Sequence, residues 1–106
     1  MTTSFISITV TTGSLEEAQK IAHALVEEHL AACVTIQSGI ESVYRWHGQI
    51  EEAQEWLLNV KTMMSHFENV RRKIESLHSY ACPVILATPV VAGNPIGLSW
   101  MIDPNA

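Results

Sequence analysis

The chain has 106 residues, 47% of them hydrophobic and 16% charged, and its formal net charge is −5 at pH 7. This length fits one domain over residues 1–106, and the acidic balance excludes a nucleic-acid partner, which would require a basic surface facing the phosphates. So many apolar residues in so small a domain predict that part of the apolar surface is buried between subunits.

The first predicted elements are a strand and a helix. Residues 5–12 alternate between apolar and hydroxyl-bearing side chains, which is typical of a half-buried strand. Gly13 ends the strand, and Ser14 followed three residues later by Glu17 forms the capping-box pattern that opens a helix. Apolar residues then recur at helical spacing, which predicts one buried helix face.

A long hairpin of the second and third strands follows. The second strand begins at about Ala32, breaks at residues 38–39 in a bulge or a bend, and reaches a tight turn at His47-Gly48. Because the hairpin is long for this domain, its tip should project beyond the body. Three aromatic residues on it would be poorly covered in a monomer, and we expect another subunit to cover them: Tyr44, Trp46 and Trp56.

The second half of the chain repeats the pattern of helix and strand. Ser65 and Glu68 form a second capping-box pattern before an apolar stripe at helical spacing. A final apolar strand at residues 84–88 is followed by Asn94-Pro95, the predicted cap and first turn of a short C-terminal helix. This order predicts an α+β, ferredoxin-like βαββαβ fold, with an antiparallel sheet and two helices on one face.

Several features favour a cytoplasmic location without a membrane partner. The chain has no apolar run long enough to span a bilayer, and Met1-Thr2-Thr3-Ser4 lacks the basic start and apolar stretch of a signal peptide. Cys33 and Cys82 are too few for the disulfide framework of a small secreted protein. We expect both to be buried free thiols.

Six short motifs in order resemble the CutA family, the divalent-cation tolerance proteins. They are Thr11-Thr12, residues 30–34, Ser42-x-Tyr44-x-Trp46-x-Gly48, Lys61-Thr62, His78-x-Tyr80-x-x-Pro83 and Leu98-x-Trp100. The resemblance implies a ferredoxin-like homotrimer with a role in tolerance of, or response to, copper and other divalent ions. It also implies two alternatives: a signalling trimer similar to the PII proteins, binding a small molecule at subunit interfaces, or a trimeric protein-anchoring scaffold.

The chain departs from the family where metal ligands are expected. A copper-binding bacterial relative has a cysteine at the end of the first strand, where this chain has Val10, and most members have a glutamate where this chain has Val84. Of that ligand set only His78 is kept. The resemblance therefore implies weak or altered copper binding and no obligatory cofactor, with copper or another divalent cation as the ion that would bind.

Four side chains are the candidate metal ligands: His78, Cys82, Cys33 and His47. Copper(II) prefers imidazole and copper(I) prefers thiolate, but no pair among the four has the spacing of a strong metal motif. For Cys33 we favour the alternative of a small buried strand residue, and for His78 the alternative is a histidine that interacts with the last carbonyls of a helix. The predicted strand order places the two cysteines at opposite sheet edges. They would meet only between subunits, in a disulfide or a shared metal site, and we expect neither.

A second candidate set combines aromatic rings with one ammonium group: Tyr44, Trp46, Lys61, Tyr80 and Trp100. Such a cleft would suit a small anion or a nucleotide. The alternative, which we favour, is packing between subunits, with Lys61 paired to a neighbour's carboxylate. No catalytic set is apparent, and we predict that the protein is not an enzyme. Three glutamates of the third strand are expected to face solvent or a neighbouring subunit: Glu51, Glu52 and Glu55.

Overall fold

The computed structural model describes residues 4–104. In this range the elements follow the order β1 (Phe5–Thr12), α1 (Leu15–Glu27), β2 (Cys33–Trp46), β3 (Gln49–Met63), a 3-10 turn (Met64–His66), α2 (Phe67–Leu77), β4 (Leu86–Pro89) and α3 (Pro95–Ile102). The strands form an antiparallel sheet in the order β2-β3-β1-β4. This arrangement confirms the predicted α+β, ferredoxin-like fold. None of these described helices is long and apolar enough to cross a membrane.

The hydrophobic core lies between one face of the sheet and the two longer helices. Along β1 the even-numbered residues are buried and the odd-numbered ones half-buried, as the alternation predicts. Ile8 and Val10 of β1 pair with Val60 and Leu58 of β3, and all four are buried. The helices contribute to the same cluster from one side, with Ala18, Ile21 and Leu25 of α1 and Val70 and Ile74 of α2.

The β2-β3 hairpin extends well beyond this core. β1 ends at Thr12, which pairs with Trp56 of β3. In the described part of the chain, the β2 and β3 residues beyond this point form strand hydrogen bonds only with each other. We call residues 40–54 the hairpin arm. A bulge after Gln37, with Gly39 at φ 75°, marks its base, and the two-residue turn His47-Gly48, at φ 49° and 78°, forms its tip. The arm makes the molecule elongated, at 46 × 27 × 24 Å.

The start of α1 confirms half of the predicted capping box. The Ser14 hydroxyl accepts a hydrogen bond from the backbone N–H of Glu17 at 3.2 Å. The Glu17 carboxylate does not return to Ser14, because it accepts two hydrogen bonds from Ser79, which lies just after the end of α2. A residue predicted to close a local cap therefore makes a long-range contact.

Of the other two predicted caps, the one at Ser65 is wrong and the one at Asn94 is confirmed. Ser65 lies inside the 3-10 turn, and the N-cap of α2 is His66, without a side-chain cap bond. The N–H of Met64 is already bonded to Ser4 at the end of the sheet, so the chain leaves β3 through a tight turn before α2 begins. Asn94 does occupy the N-cap of α3, with Pro95 in the first turn, but its side chain makes no cap bond.

Two further expectations about the sheet are corrected. Trp56 packs against the hydrophobic core, since it pairs with Thr12 at the end of β1, and so it is not one of the uncovered aromatics. The last strand covers Leu86–Pro89 and not residues 84–88, and its side chains are exposed. The N-terminal residues 1–3, on which the expectation of no signal peptide rests, lie outside the described range.

The C-terminus of α1 ends in a Schellman motif with a histidine in the left-handed position. Leu30 N donates to Leu25 O at 2.9 Å, His29 N donates to Val26 O at 3.1 Å, and His29 has φ of 60°. Glycine is the usual residue at this point, because an L side chain brings Cβ close to the following carbonyl.

Replacing His29 by glycine is expected to raise the free energy of unfolding by about 1 kcal/mol, because glycine adopts positive φ without that clash. Unfolding in guanidinium chloride at fixed protein concentration measures the change. His23→Gly, on the exposed face in the middle of α1, is the matched control and should lower the same quantity by about 1 kcal/mol. A His29→Gly protein no more stable than the original would contradict the prediction.

Candidate functional site

The four candidate metal ligands lie on different parts of the fold. Cys33 is half-buried on β2, at one edge of the sheet, and His47 is at the tip of the hairpin arm. Cys82 is exposed in the segment before β4, the opposite edge strand, and so it is not the buried thiol that was expected. His78 is the C-cap of α2. Among residues 4–104 no three His, Cys, Asp or Glu side chains are placed to hold a metal ion.

The imidazole of His78 is fully buried and both of its nitrogens have partners. Nε2 lies 2.8 Å from the carbonyl oxygen of Thr11, which can only accept, so Nε2 carries the hydrogen. Nδ1 then accepts the backbone N–H of Tyr80 at 3.1 Å. The ring bonds to β1 and not to the last carbonyls of its own helix. A metal ligand needs a free nitrogen lone pair, and His78 as it is held offers none.

Glu17 continues this arrangement on the α1 side. Its Oε1 accepts the backbone N–H of Ser79 at 2.7 Å and its Oε2 accepts the Ser79 hydroxyl at 2.8 Å. Oε1 also lies 3.3 Å from Nδ1 of His78. Because Glu17 is in the first turn of α1, its negative charge is also favourable next to the helix N-terminus.

Tyr80 connects this group to the base of the hairpin arm. Its hydroxyl donates to Oε2 of Glu55 at 2.5 Å. Gly13 leaves room for the phenol, since a Cβ there would lie 3.1 Å from the Tyr80 hydroxyl oxygen. Burial and the bond to Glu55 raise the pKa of the Tyr80 hydroxyl well above its ordinary value, so it remains a donor at neutral pH.

Glu55 is a buried carboxylate, only 6% exposed, and the expectation that it faces solvent or a neighbour is wrong. Burial acts to raise the pKa of Glu55, but hydrogen bonds from Ser42, Tyr80 and Thr11 outweigh it, so the pKa lies below the ordinary value of 4.5. These donors come from β2, β1 and the segment after α2. We call the linked side chains of Glu17, His78, Ser79, Tyr80 and Glu55 the Glu55 cluster.

The aromatic and ammonium set is not brought together within one chain. Lys61 pairs with Cys33 and Ser7 in the middle of the sheet, whereas Tyr44 pairs with Glu51, ten residues away along β3, or about 33 Å. Tyr80 belongs to the Glu55 cluster and Trp100 lies on α3. A cleft containing the whole set would require a second subunit and stays a prediction.

Exposed apolar side chains mark the hairpin arm. Tyr44 and Trp46 are each 44% exposed, as predicted, and Val43 and Ile50 are about two-thirds exposed. The register places Tyr44 and Trp46 on one face of the arm and Val43 and Ile50 on the other, so both faces expose apolar side chains, as subunit interfaces often do. The sequence pattern indicated the two aromatics, but Glu55 and Glu17 were missed because their partners lie 25 or more residues away.

Comparison with known proteins finds relatives along nearly the whole chain. The family model described as CutA1 divalent ion tolerance protein matches residues 6–104. The divalent-cation tolerance protein CutA of Thermus thermophilus is 46% identical over 94 residues, 89% of this chain and 91% of the relative. The chloroplastic protein CutA of Arabidopsis thaliana is 38% identical over 91% of this chain, which spans 53% of that relative. The structure of the periplasmic divalent cation tolerance protein CutA from Archaeoglobus fulgidus matches with a TM-score of 0.91 and 41% identity, covering 93% of this chain and 96% of that one.

The lowered pKa of Glu55 predicts a loss of stability in acid. A group with a depressed folded-state pKa contributes stability above its unfolded pKa, and the contribution is lost as the pH falls through the folded value. Glu55→Gln should lower the free energy of unfolding by about 2 kcal/mol at neutral pH, since charge-assisted hydrogen bonds are lost. The difference in free energy of unfolding between the original protein and Glu55→Gln should shrink below pH 4.5.

Guanidinium unfolding at a series of pH values, from neutral to about pH 3, measures this difference. Glu52→Gln, at an exposed position on the hairpin arm, is the control and should show almost no change. A Glu55→Gln effect that is independent of pH would mean that the carboxylate is not the charged acceptor described here.

Proposed function

Because this chain belongs to the family of CutA1 divalent ion tolerance proteins, we propose that it acts in tolerance of divalent metal ions as a homotrimer, with weak or altered copper binding. The observation that supports the role is the match over residues 6–104 with the family. Neither a catalytic step nor an obligatory cofactor belongs to the proposal. The cytoplasmic location stays a prediction.

The homotrimer is supported by the surfaces that one chain leaves uncovered. The hairpin arm exposes Val43, Tyr44, Trp46 and Ile50, and in the described part of the chain no third strand pairs with it. β2 and β4 are the two edges of the sheet, and the 14 residues of β2 form a long unpaired edge. Pairing one subunit's β2 edge with the next subunit's β4 edge would be a head-to-tail contact, which closes into a ring of three when each contact rotates the next subunit by one third of a turn.

Weak copper binding is supported by the positions of the remaining ligands. Val10 is buried in the core and Val84 is exposed, and neither side chain has a donor atom that could bind a metal ion. His78 is held by hydrogen bonds, whereas His47 and Cys82 are exposed and separate within one chain. Residues 4–104 of one chain therefore do not fit a preformed copper site. A bound ion would use His47 or Cys82 alone or between subunits.

The alternative roles implied by the resemblance need features beyond one chain. A PII-like trimer binding a small molecule would need an intersubunit cleft that joins Lys61 to the aromatic residues of another chain. A protein-anchoring scaffold would need a partner for surfaces left free after trimerisation. Both stay predictions, and a nucleotide and small-anion titration of the trimer would separate the first from metal tolerance.

Titration calorimetry of reduced, metal-stripped protein with copper(II) is expected to show binding weaker than a Kd of about 1 µM. His47→Ala and Cys82→Ser should each lower this affinity further, because they remove the exposed imidazole and thiol. His23→Ala, on the exposed face of α1, is the matched control and should leave it unchanged.

Binding that is stoichiometric and much tighter than this would contradict the weak-binding proposal. The tolerance role itself is tested in the native host, where loss of the gene should reduce growth in copper-supplemented medium and the intact gene should restore it. Unchanged growth across copper, zinc and cobalt would overturn that role.

Trp46→Ala should weaken the trimer, because it removes an aromatic anchor from the hairpin arm. Light scattering coupled to size exclusion should give three times the chain mass of 11.7 kDa for the original protein and a smaller average mass for the variant on dilution. Leu15→Ala on α1 is the matched control, since Leu15 is 43% exposed and lies away from the arm. Equal dissociation of the two variants would count against the arm as an interface.

A further inference from the structure

We propose that His78 is a positioning residue that holds the hairpin arm against the body through Tyr80 and Glu55, and that it is not a metal ligand. The argument rests on hydrogen bonds within one chain. It goes beyond the metal-tolerance proposal and does not depend on it.

The first step is that the His78 ring has no free nitrogen. The side chain is fully buried, Nε2–H donates to Thr11 O at 2.8 Å, and Nδ1 accepts Tyr80 N–H at 3.1 Å. Binding a metal through either nitrogen would break one of these bonds and leave a buried polar group without its partner. The His78 ring therefore links the end of α2 to the end of β1 through its hydrogen bonds.

The second step is that these bonds fix the path of residues 78–80. Three consecutive residues are each held: His78 by Thr11, Ser79 by the Glu17 carboxylate and the Tyr80 backbone by the His78 ring. The rings of His78 and Tyr80 are also in contact, with centroids 4.7 Å apart. The phenol of Tyr80 is thereby directed past Gly13 to Glu55.

The third step is that Glu55 lies where the hairpin arm leaves the body. It pairs with Ile40, the first β2 residue beyond the bulge, while the next β3 residue, Trp56, forms the last pair with β1. Its carboxylate accepts the hydrogen bond of the Tyr80 hydroxyl at 2.5 Å, and the side chains of Ser42 on the arm and Thr11 on β1 also lower its pKa. This one buried carboxylate therefore lies where the arm joins the body, and the direction of the arm depends on the Tyr80 donor that holds it.

Amide hydrogen exchange of the full-length protein tests this chain of contacts. His78→Ala should speed exchange in residues 40–54 by about tenfold or more, while the amides of Ile8 and Leu58 in the core keep their protection. Tyr80→Phe, which removes only the hydroxyl donor to Glu55, should produce a similar change. Because the two residues act in series, the double variant should exchange no faster than the single variants.

Two variants keep the test independent of misfolding. His78→Asn keeps an acceptor near the position of Nδ1 and should preserve part of the arm's protection, whereas His66→Ala, at the start of α2, should leave the arm unchanged. Additive effects of His78→Ala and Tyr80→Phe, or loss of protection throughout the core with an unaffected arm, would overturn the proposal.

NMR of the unmodified protein gives a second readout. The His78 ring should carry a hydrogen on Nε2, and addition of diamagnetic zinc(II) should leave its ring signals in place. An Nδ1–H tautomer or a zinc-dependent shift of the His78 nitrogens would overturn the proposal. Zinc-dependent shifts confined to His47 or Cys82 would support both this inference and the metal-binding proposal. No shift anywhere would support this inference and count only against metal binding.

Discussion

The shape of this protein depends on a mismatch in strand length. β1 has eight residues, whereas β2 and β3 have 14 and 15, so the outer half of the hairpin has no third strand beside it. The buried core stops where β1 stops, and the hairpin arm projects from it with apolar side chains exposed. The mismatch therefore creates both the exposed apolar surface of the arm and the junction at which the Glu55 cluster lies.

The Glu55 cluster shows how a carboxylate can be buried at that junction. Taking a charged group out of water is costly unless its oxygens accept well-placed hydrogen bonds. Here the donors are hydroxyl groups from β1, β2 and the segment after α2, and the last of these is directed by His78. The family resemblance implies that His78 is a metal ligand, but in this structure both of its ring nitrogens form hydrogen bonds that stabilise the fold. This separates membership of a divalent ion tolerance family from possession of a particular copper site.

Much of the fold could be predicted because its signals are local. The alternation of residues 5–12, the break at residues 38–39 and the turn at His47-Gly48 each depend on neighbouring residues, and the structure confirms all three. The second capping box failed for a tertiary reason. Ser65 has the right sequence spacing, but the bond from Met64 to Ser4 imposes a 3-10 turn before α2. Trp56 was misplaced because the sequence does not show where β1 ends along β3.

The candidate site was harder to predict because it is made of contacts between distant residues. The His78 ring meets a carbonyl 67 positions away, Ser79 meets Glu17 across 62, and Tyr80 meets Glu55 across 25. By itself the sequence determined the strands, the helices, the hairpin and the family, because periodicity, turn chemistry and short motifs are properties of neighbouring residues. Only the tertiary structure decided that Glu55 is buried and that His78 is engaged, because burial and hydrogen-bond partners exist only once distant segments have been brought together.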